Sequence, residues 1–289
     1  MISLIICSRT STLPESFDEN IRNTIGSEYE LILIDNSQSQ YSIFEAYNLG
    51  IQKSKGDILC FIHDDIRFHT IDWGKKLLFI FRSDKQIGLV GIAGAKIKGT
   101  VTSGWWDCPD RYRVINIIQH TKLGKLENWN VGWENNNLQE VVAIDGVFMS
   151  ISKDDNFQFS KKFRGFHNYD LDISFKTRQK RKKIVVTNEI LLEHFSEGVV
   201  DDKWIASTFK IHNYYNRLLP MQVGNKVSKE EFEKIDFDNF QKMIYLSFVH
   251  KNLDLAFKIW FKFFLKCPMH TYNNYFWKEY IKLIYRCWR

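Results

Sequence analysis

The stretch DILCFIHDDIRF, residues 57–68, decides the fold of the first half of the chain. Its apolar residues 58–62 form a short continuous run, which is typical of a strand covered on both faces. His63, Asp64 and Asp65 follow this run directly. Two carboxylates roughly 4 Å apart repel each other by about 4 kcal/mol at an effective dielectric constant of about 20. We therefore expect either water or a positive charge at the end of this strand.

Strands and helices alternate along the first hundred residues. Four apolar, β-branched runs predict strands, and the segments between them have the apolar spacing of helices. The strand-like runs are residues 2–7, 30–35, 57–62 and 87–95, and the helical segments are residues 14–23, 43–50 and 72–81. This alternation is typical of βαβ units, so we predict an α/β fold with a doubly wound, mostly parallel central sheet.

Polar residues close the first three predicted strands. In sheets of this kind, ligands bind beyond the carboxyl ends of the strands. The closing residues are Ser8, Arg9, Asp35, Asn36, Asp64 and Asp65. We expect these side chains to face one crevice, where a ligand would lie against the acidic pair.

Composition and charge describe an ordinary globular protein. Hydrophobic residues make up 44% and charged residues 26% of the 289 residues, and the net charge of +6 permits a phosphate-bearing ligand or an anionic membrane without requiring either. The five cysteines have no metal-ligand spacing, so we interpret them as reduced and predict a cytoplasmic protein. The first residues lack the pattern of a signal peptide, and no apolar run approaches the roughly 20 residues of a membrane span.

Several motifs stand in an order that resembles glycosyltransferase family 2, a group with the GT-A fold. These motifs are Asp35, AYNLG (46–50), GDILCFIHDD (56–65), FHNYDLDIS (166–174) and EHFSEG (193–198). IGLVGIAG (87–94), GWWD (104–107) and IDGVFM (144–149) look like a bacterial subgroup of glycosyltransferase-like proteins. The resemblance covers roughly residues 1–215 and implies a GT-A-type version of the predicted sheet.

The resemblance implies a nucleoside-diphosphate sugar donor and a divalent cation, Mn²⁺ or Mg²⁺. HDD takes the place of the family's DXD motif, with Asp65 as a metal ligand, Asp64 close to the ribose, and His63 where the first acid would stand. His194 completes the metal site in several members, and its imidazole suits Mn²⁺ better than Mg²⁺. A solvated turn for the acids and a core or rim position for His194 are the alternatives.

The resemblance also assigns a catalytic base and a base-reading residue. Asp170 follows Tyr169, where the family has a Glu-Asp pair, and it would take the proton from the attacking hydroxyl. Its alternative is a helix N-cap, and Asp172 is the next candidate for the base. Asp35 would accept a hydrogen bond from the uracil ring, with a cap or turn role as its alternative.

Six further residues are candidate ligands. They are Asn36 and Asn48 for the nucleotide, and Asp145, Gly146, Trp105 and Trp106 for the donor or acceptor sugar. The asparagines have a cap or turn role as their alternative. Core packing is the alternative for the two tryptophans.

Two basic segments remain. KTRQKRKK, residues 176–183, accompanies no nucleic-acid module, so we interpret it as a solvated helix end and predict no nucleic-acid partner. We divide the chain into a catalytic domain, residues 1–220, and an aromatic, basic helical extension, residues 221–289. The extension suits packing on the catalytic domain, a second subunit, or peripheral contact with an anionic membrane at its inner face.

Together these features predict a metal-dependent, inverting glycosyltransferase. It would move a sugar, with a UDP-sugar favoured, to a surface-glycan or lipid-linked acceptor. The alternative is a catalytically inactive module that binds a sugar nucleotide or a glycan, which the replaced glutamate before Asp170 favours. A nucleotidyltransferase is disfavoured, because CSRTSTLPES, residues 7–16, lacks the glycine and lysine of a phosphate-binding loop.

Overall fold

The computed structural model describes residues 1–154 and 157–287. The strands in chain order are β1 Ile2–Ser8, β2 Tyr29–Asp35, β3 Ile58–Ile62, β4 Ile66–Phe68, β5 Ile87–Gly91, β6 Ala93–Ala95, β7 Ile97–Lys98, β8 Arg113–His120, β9 Leu126–Val131, β10 Leu138–Val141, β11 Ala143–Ile144, β12 Phe148–Ser152, β13 Lys183–Thr187, β14 Leu192–His194 and β15 Met221–Gln222. The helices are α1 Glu15–Thr24, α2 Ile43–Lys53, α3 Trp73–Ser83, α4 Tyr169–Gln179, α5 Asp202–Tyr214, α6 Lys229–Val249, α7 Leu253–Lys266 and α8 Tyr272–Cys287.

The central sheet has seven strands in the order β10-β13-β5-β12-β3-β1-β2. Five of them run in the same direction, and β10 and β12 run against them. The chain turns from one side of β1 to the other between β2 and β3, which is the strand-order reversal of a doubly wound sheet. The predicted α/β class and its mostly parallel central sheet are therefore confirmed.

The strands that end at the polar edge are held deep in the core. β3 lies between β1 and β12, and all five of its residues are buried. The helix α2 packs closely over β1 at Gly50, where a Cβ atom would lie 2.2 Å from a methyl carbon of Ile5. A capping box between Ser42 and Glu45 fixes the start of that helix. These contacts give the residues after β3 a rigid base.

A second sheet completes the polar edge. Its strand order is β11-β6-β8-β14-β4, with β9 paired to β8. The run 87–95, predicted as a single strand, divides at Ile92, so that β5 belongs to the central sheet and β6 to the second sheet. The strand β14 pairs with β4 in antiparallel register, His194 opposite Ile66. This pairing brings the end of β14 beside Asp65.

The C-terminal helical extension is present as predicted and packs on the rest of the chain. A second apolar cluster joins α6, α7 and α8 to Trp204 and Ile205 of α5. Asp236 accepts hydrogen bonds from the Thr100 hydroxyl and, at 3.2 Å, from the Val101 amide. The strand β15 pairs with β7. The division at residues 220 and 221 stays a prediction.

Two features bear on compartment and membrane. Among residues 1–154 and 157–287, no helix combines the length and the apolar character needed to cross a bilayer. The four cysteines whose side chains are described, Cys7, Cys60, Cys108 and Cys267, are free thiols.

Candidate active site

The ends of β1, β2 and β3 lie at the carboxyl edge of the sheet. Ser8 lies opposite Asp35 in the parallel register of β1 and β2. The Ser8 hydroxyl donates a 2.5 Å hydrogen bond to Oδ2 of Asp64. The structure therefore brings Ser8 and Asp64 into direct contact and places Asp35 on the neighbouring strand, at the same level as Ser8.

The other residues predicted to bind the nucleotide differ in their exposure and in their hydrogen-bond partners. Asp35 is exposed, and the amide and hydroxyl of Ser37 lower the pKa of its carboxyl, so the group is ionised and open to a ligand. Arg9 is also exposed. Asn36 is buried, and its amide pairs with both the N–H and the carbonyl of Tyr41, each at 2.9 Å.

Asn48 makes the same kind of paired contact further from the edge. Its amide nitrogen donates to the carbonyl of Phe159 at 3.1 Å, and its amide oxygen accepts from the N–H of Phe159 at 2.8 Å. Backbone contacts thus occupy both predicted asparagines. Those of Asn36 hold the turn that follows β2, whereas Asn48 lies within α2 and fixes the segment at Phe159. Their role as nucleotide ligands stays a prediction.

Three side chains direct possible metal ligands at a common point. Nδ1 of His63 lies 3.3 Å from Nε2 of His194, and Oδ1 of Asp65 lies 3.7 and 3.5 Å from these two nitrogens. Ligand atoms roughly 2.0–2.2 Å from one ion lie about 3.0–3.6 Å apart, so the observed separations are close to those around a single divalent cation. The motifs in the sequence mark Asp65 and His194 as metal ligands, whereas they mark His63 only as the replacement of an acid.

Neighbouring residues orient both imidazoles. Nδ1 of His194 lies 3.1 Å from Oε1 of Gln119, an acceptor, so Nδ1 donates to this oxygen and Nε2 faces His63 and Asp65. Nε2 of His63 lies 2.6 Å from the hydroxyl of Tyr169. Partners of this kind fix the tautomer of a metal-binding histidine. Neither Gln119 nor Tyr169 had a signal in the sequence that marked it for this role.

The charge states also suit a cation. Desolvation and then the neighbouring His194 lower the pKa of His63, which keeps its imidazole neutral. Burial by itself would raise the pKa of Asp65, but hydrogen bonds from His194 and Ser196 and the nearby histidines bring it down to about 2. Two imidazoles and one carboxylate form a donor set that suits Mn²⁺ and later transition ions better than Mg²⁺.

Asp170 lies in the first turn of α4, and it is set up to hold a proton near neutral pH. Burial first, and then the charge of Asp145, raise the pKa of Asp170 to about 7. The N–H of Leu171 donates to its Oδ1 at 2.8 Å. The preceding Tyr169 contacts His63, so adjacent residues connect the predicted base to the candidate metal site. A carboxyl with this pKa can take up a proton from a hydroxyl at physiological pH.

Asp172, the other candidate for the base, is a structural residue. Its side chain is fully buried and accepts from the N–H of Ser160 at 2.8 Å and from the hydroxyl of Tyr215 at 2.6 Å. Lys176 lies 3.3 Å from the same carboxylate. Because these partners occupy both oxygens, Asp172 joins α4 to its surroundings and has no free oxygen for a substrate.

Asp145, one of the predicted sugar-binding residues, lies close enough to Asp170 to raise its pKa. Asp145 accepts hydrogen bonds from Nε1 of Trp105 at 2.9 Å and from the N–H of Val147 at 2.8 Å. A Cβ atom on Gly146 would lie 2.5 Å from the hydroxyl of Tyr169, so glycine is needed here for the tyrosine to pack. The structure thus explains Gly146 by the packing of Tyr169. Its predicted role at the sugar stays a prediction.

The two tryptophans differ in their surroundings. Trp105 is 7% exposed and is held by Asp145. Trp106 is partly exposed, and its ring centroid lies 5.6 Å from that of Trp204 on α5. Trp106 therefore packs against α5. Trp105 instead contacts Asp145, which is itself one of the residues predicted to bind the sugar.

A buried lysine near Asp170 was not predicted. Lys98 is 2% exposed, and its ammonium group donates to the carbonyl and the hydroxyl of Ser103. Burial lowers the pKa of Lys98 to about 8, although Asp107 and other acidic neighbours oppose the shift. Its positive charge in turn lowers the pKa of Asp170, against the larger effects of burial and Asp145.

The basic run 176–183 lies away from this site. A cavity of about 430 Å³ opens at the amino ends of β1, β3 and β5, and Lys176, Lys180 and Lys182 are among its lining residues. Lys180 and Lys182 are exposed, as expected of a solvated helix end.

Several solved structures resemble this chain at low sequence identity. GalNAc-T7, in a structure with UDP, GalNAc and Mn²⁺, is 12% identical with a TM-score of 0.49, and the match covers 82% of this chain and 54% of that one. The chain therefore spans about half the length of the GalNAc-T7 chain. S. aureus TarS 1-349, in complex with UDP-GlcNAc, is 9% identical with a TM-score of 0.48, over 82% of this chain and 71% of that one. A197 from STIV is 12% identical with a TM-score of 0.40, over 79% and 96%.

Sequence comparison gives the family. No curated protein matches the chain. Residues 3–218 match the family described as "Glycosyltransferase like family". The match covers most of the chain and confirms the resemblance drawn from its motifs, so the chain belongs to this glycosyltransferase-like family.

Proposed function

We propose that this protein is a metal-dependent, inverting glycosyltransferase of the hexosyltransferase type. It takes its sugar from a nucleoside-diphosphate donor, with UDP favoured, and transfers it to a surface-glycan or lipid-linked acceptor. One observation carries the proposal: Asp170, with a pKa raised to about 7, adjoins the Tyr169–His63 contact that leads to the candidate metal ligands. Membership in the glycosyltransferase-like family supports the same chemistry.

The donor diphosphate lies at the candidate metal site in this proposal. His63, Asp65 and His194 hold a divalent cation, with Mn²⁺ preferred over Mg²⁺ because two of the three ligands are imidazoles. When bound, the cation offsets the negative charge that develops on the departing diphosphate. Ser8 and Asp64, which are hydrogen-bonded to each other, lie next to this point and contact the ribose.

Asp35 reads the base of the nucleotide. Its carboxylate is ionised and exposed at the end of β2, so it can accept a hydrogen bond from the imide N–H of uracil. A cytosine presents an amino group and no imide N–H, and the same contact with guanine would use a different edge. This is the reason for favouring UDP over cytidine and guanosine donors. Thymine carries the same imide N–H as uracil, so the donor screen distinguishes dTDP from UDP.

Asp170 acts as the general base. The acceptor hydroxyl attacks the anomeric carbon, the bond from that carbon to the diphosphate oxygen breaks, and the proton of the hydroxyl passes to Asp170. A single attack from the face opposite the leaving group inverts the configuration. Asp145 and the Trp105 side chain that it holds lie beside Asp170 and position the sugar.

The cysteines support a cytoplasmic location for the reaction. The four described cysteine side chains are free thiols, and such thiols persist in a reducing compartment.

A donor screen tests the proposal directly. The purified chain is incubated with Mn²⁺ and a panel of UDP-, GDP-, dTDP- and CMP-sugars, and nucleotide release is measured with and without simple sugar acceptors. We expect release from one UDP-sugar, dependent on Mn²⁺ and at least about 10²-fold slower in Asp170→Asn. Turnover by Asp170→Asn at the wild-type rate would refute the assignment of the base. Saturable binding of a sugar nucleotide without any release would favour the inactive binding module.

A further inference from the structure

The helices α7 and α8 carry the same four-residue pattern. In each helix, a large apolar residue recurs three times at a spacing of four residues, and a basic residue follows it every time. The apolar residues are Phe257, Phe261 and Leu265 in α7 and Trp277, Ile281 and Tyr285 in α8, and the basic residues that follow them are Lys258, Lys262, Lys266, Lys278, Lys282 and Arg286. A spacing of four places each set along one side of its helix.

The six apolar side chains lie on the outside of the molecule. Each is between 37% and 71% exposed. The ring centroids of Phe257 and Trp277 lie 6.3 Å apart, so the two stripes join into one surface, which we call the outer apolar face. The inner sides of the same helices pack against each other, with the rings of Trp260 and Phe276 stacked at a centroid distance of 4.9 Å. Burial of the outer apolar face is therefore not needed for the helices to pack.

Positive charge is concentrated in the same two helices. Residues 253–289 hold seven basic and two acidic residues, a net charge of +5, against +6 for the whole chain. The two acids, Asp254 and Glu279, pair with Lys258 and Lys282.

Two further lysines of α7, Lys262 and Lys266, have uncharged partners in the contacts described. Lys262 donates to the side-chain oxygen of Asn213, and Lys266 donates to the Thr100 hydroxyl at 3.0 Å. Neither partner carries a charge. The border of the outer apolar face is thus strongly positive.

We propose that the outer apolar face binds the surface of an anionic phospholipid membrane. Aromatic and aliphatic side chains would enter the headgroup region, while the flanking lysines extend their ammonium groups to the lipid phosphates. A second copy of this chain fits the face poorly, because a two-fold contact would place the cations of one copy against those of the other. The proposal is independent of the catalytic one, since it requires no turnover.

Vesicle flotation with the full chain tests the proposal. We expect the protein to float with vesicles of phosphatidylglycerol and phosphatidylcholine and to bind pure phosphatidylcholine vesicles at least about tenfold more weakly. The variant Phe261→Ser/Leu265→Ser/Ile281→Ser should lose at least about tenfold in binding to the anionic vesicles. Phe79→Ser, a change at an exposed side chain of α3, is the matched control and should bind as the wild type does.

A charge variant and the oligomeric state complete the test. Lys262→Gln/Lys266→Gln/Lys278→Gln should bind anionic vesicles roughly 10²-fold more weakly, with a smaller dependence on salt. Circular dichroism and thermal unfolding establish that each variant is folded. Equal flotation with neutral and anionic vesicles, or unchanged binding by the folded serine variant, would overturn the proposal. So would a wild-type dimer that the serine substitutions convert to a monomer.

Discussion

His63 and His194 are 131 residues apart in the chain, yet Nδ1 of the first lies 3.3 Å from Nε2 of the second. Two strand pairings produce this proximity. The strand β3 ends at the residue before His63, and β14 is paired with β4 so that His194 stands opposite Ile66. Oδ1 of Asp65 lies 3.7 Å from Nδ1 of His63 and 3.5 Å from Nε2 of His194, so Asp65 completes the cluster.

Removal of either histidine should abolish tight metal binding. We expect His63→Ala and His194→Ala each to weaken Mn²⁺ binding by more than about 10²-fold, because each removes a ligand, and Gln119→Leu to weaken it by roughly 10–100-fold by releasing the His194 ring. Calorimetric titration with Mn²⁺ measures the effect. His250→Ala, at the end of α6, is the control. An unchanged affinity in His63→Ala would leave the site with the two ligands named from the sequence.

Asp170 and Asp172 should respond differently to the same substitution. Asp170→Asn removes the base and should reduce kcat by about 10²–10⁴-fold with little change in Mn²⁺ binding. Asp172→Asn should lower the free energy of unfolding by about 3 kcal/mol, because it weakens contacts of a buried carboxylate with Tyr215 and Lys176. Steady-state kinetics and denaturant unfolding of both variants distinguish the roles. A reversed pattern, with kcat lost only in Asp172→Asn, would exchange the assignments.

The pKa of Asp170 predicts the acidic limb of the rate profile. A base must be ionised, so kcat/KM should rise with pH through about 7 and then level off. Because Asp145 contributes to the raised pKa, Asp145→Asn should move this limb to lower pH. The pH dependence of kcat/KM for the wild type and Asp145→Asn provides the measurement. A limb that stays in place in the variant would contradict the coupling of the two acids.

The same pKa has a consequence for stability. The folded protein holds the Asp170 proton more tightly than the unfolded chain does, so this contribution is complete below the ordinary carboxyl pKa and is lost as the pH rises to about 7. Asp170→Asn removes the titrating group. We therefore expect Asp170→Asn to gain stability relative to the wild type between about pH 4 and pH 7, in thermal unfolding at several pH values. A stability difference that does not vary with pH would mean that the carboxyl has an ordinary pKa.

Gly146 should be needed for the position of Tyr169. Gly146→Ala places a Cβ atom 2.5 Å from the tyrosine hydroxyl, so we expect a loss of about 1–3 kcal/mol in the free energy of unfolding and weaker Mn²⁺ binding through His63. Gly198→Ala is the matched control, since a Cβ atom there meets nothing within 4 Å. Denaturant unfolding and Mn²⁺ titration compare the two. Equal stability of both variants would show that the tyrosine moves aside without cost.

The fold could be predicted where local pattern and packing agree. The runs around β1 and β3 are apolar and β-branched because both faces of those strands are buried, and the intervening helices have one apolar side. The strand β2 is at the edge of the sheet and buries only Ile32 and Ile34, yet its run is apolar enough to be recognised. The prediction of a single strand over residues 87–95 is wrong, and it arose because the run is apolar throughout. Both of its halves are buried, but in different sheets, and hydrophobic periodicity does not report which sheet a buried residue joins.

The candidate site was predictable only where a residue belongs to a strand end or a motif. Asp64, Asp65 and His194 stand in such places, and the structure brings Asp65 and His194 together. Gln119 lies within β8, and its contact with His194 depends on the parallel pairing of β8 with β14. No local sequence pattern indicates a contact between strands that are so distant in sequence.

The tie between α6 and the loop that carries Trp105 and Trp106 restricts how this protein can be re-engineered. Asn239 donates to the carbonyl of Asp107 at 3.0 Å, and Lys242 lies 2.5 Å from the carboxylate of the same residue. A chimera that received the C-terminal segment of a relative would lose both anchors. The loop and α6 would therefore have to be exchanged together. Exchanging either one alone would remove the contacts of Asn239 and Lys242 with Asp107, which hold the loop that carries Trp105 and Trp106.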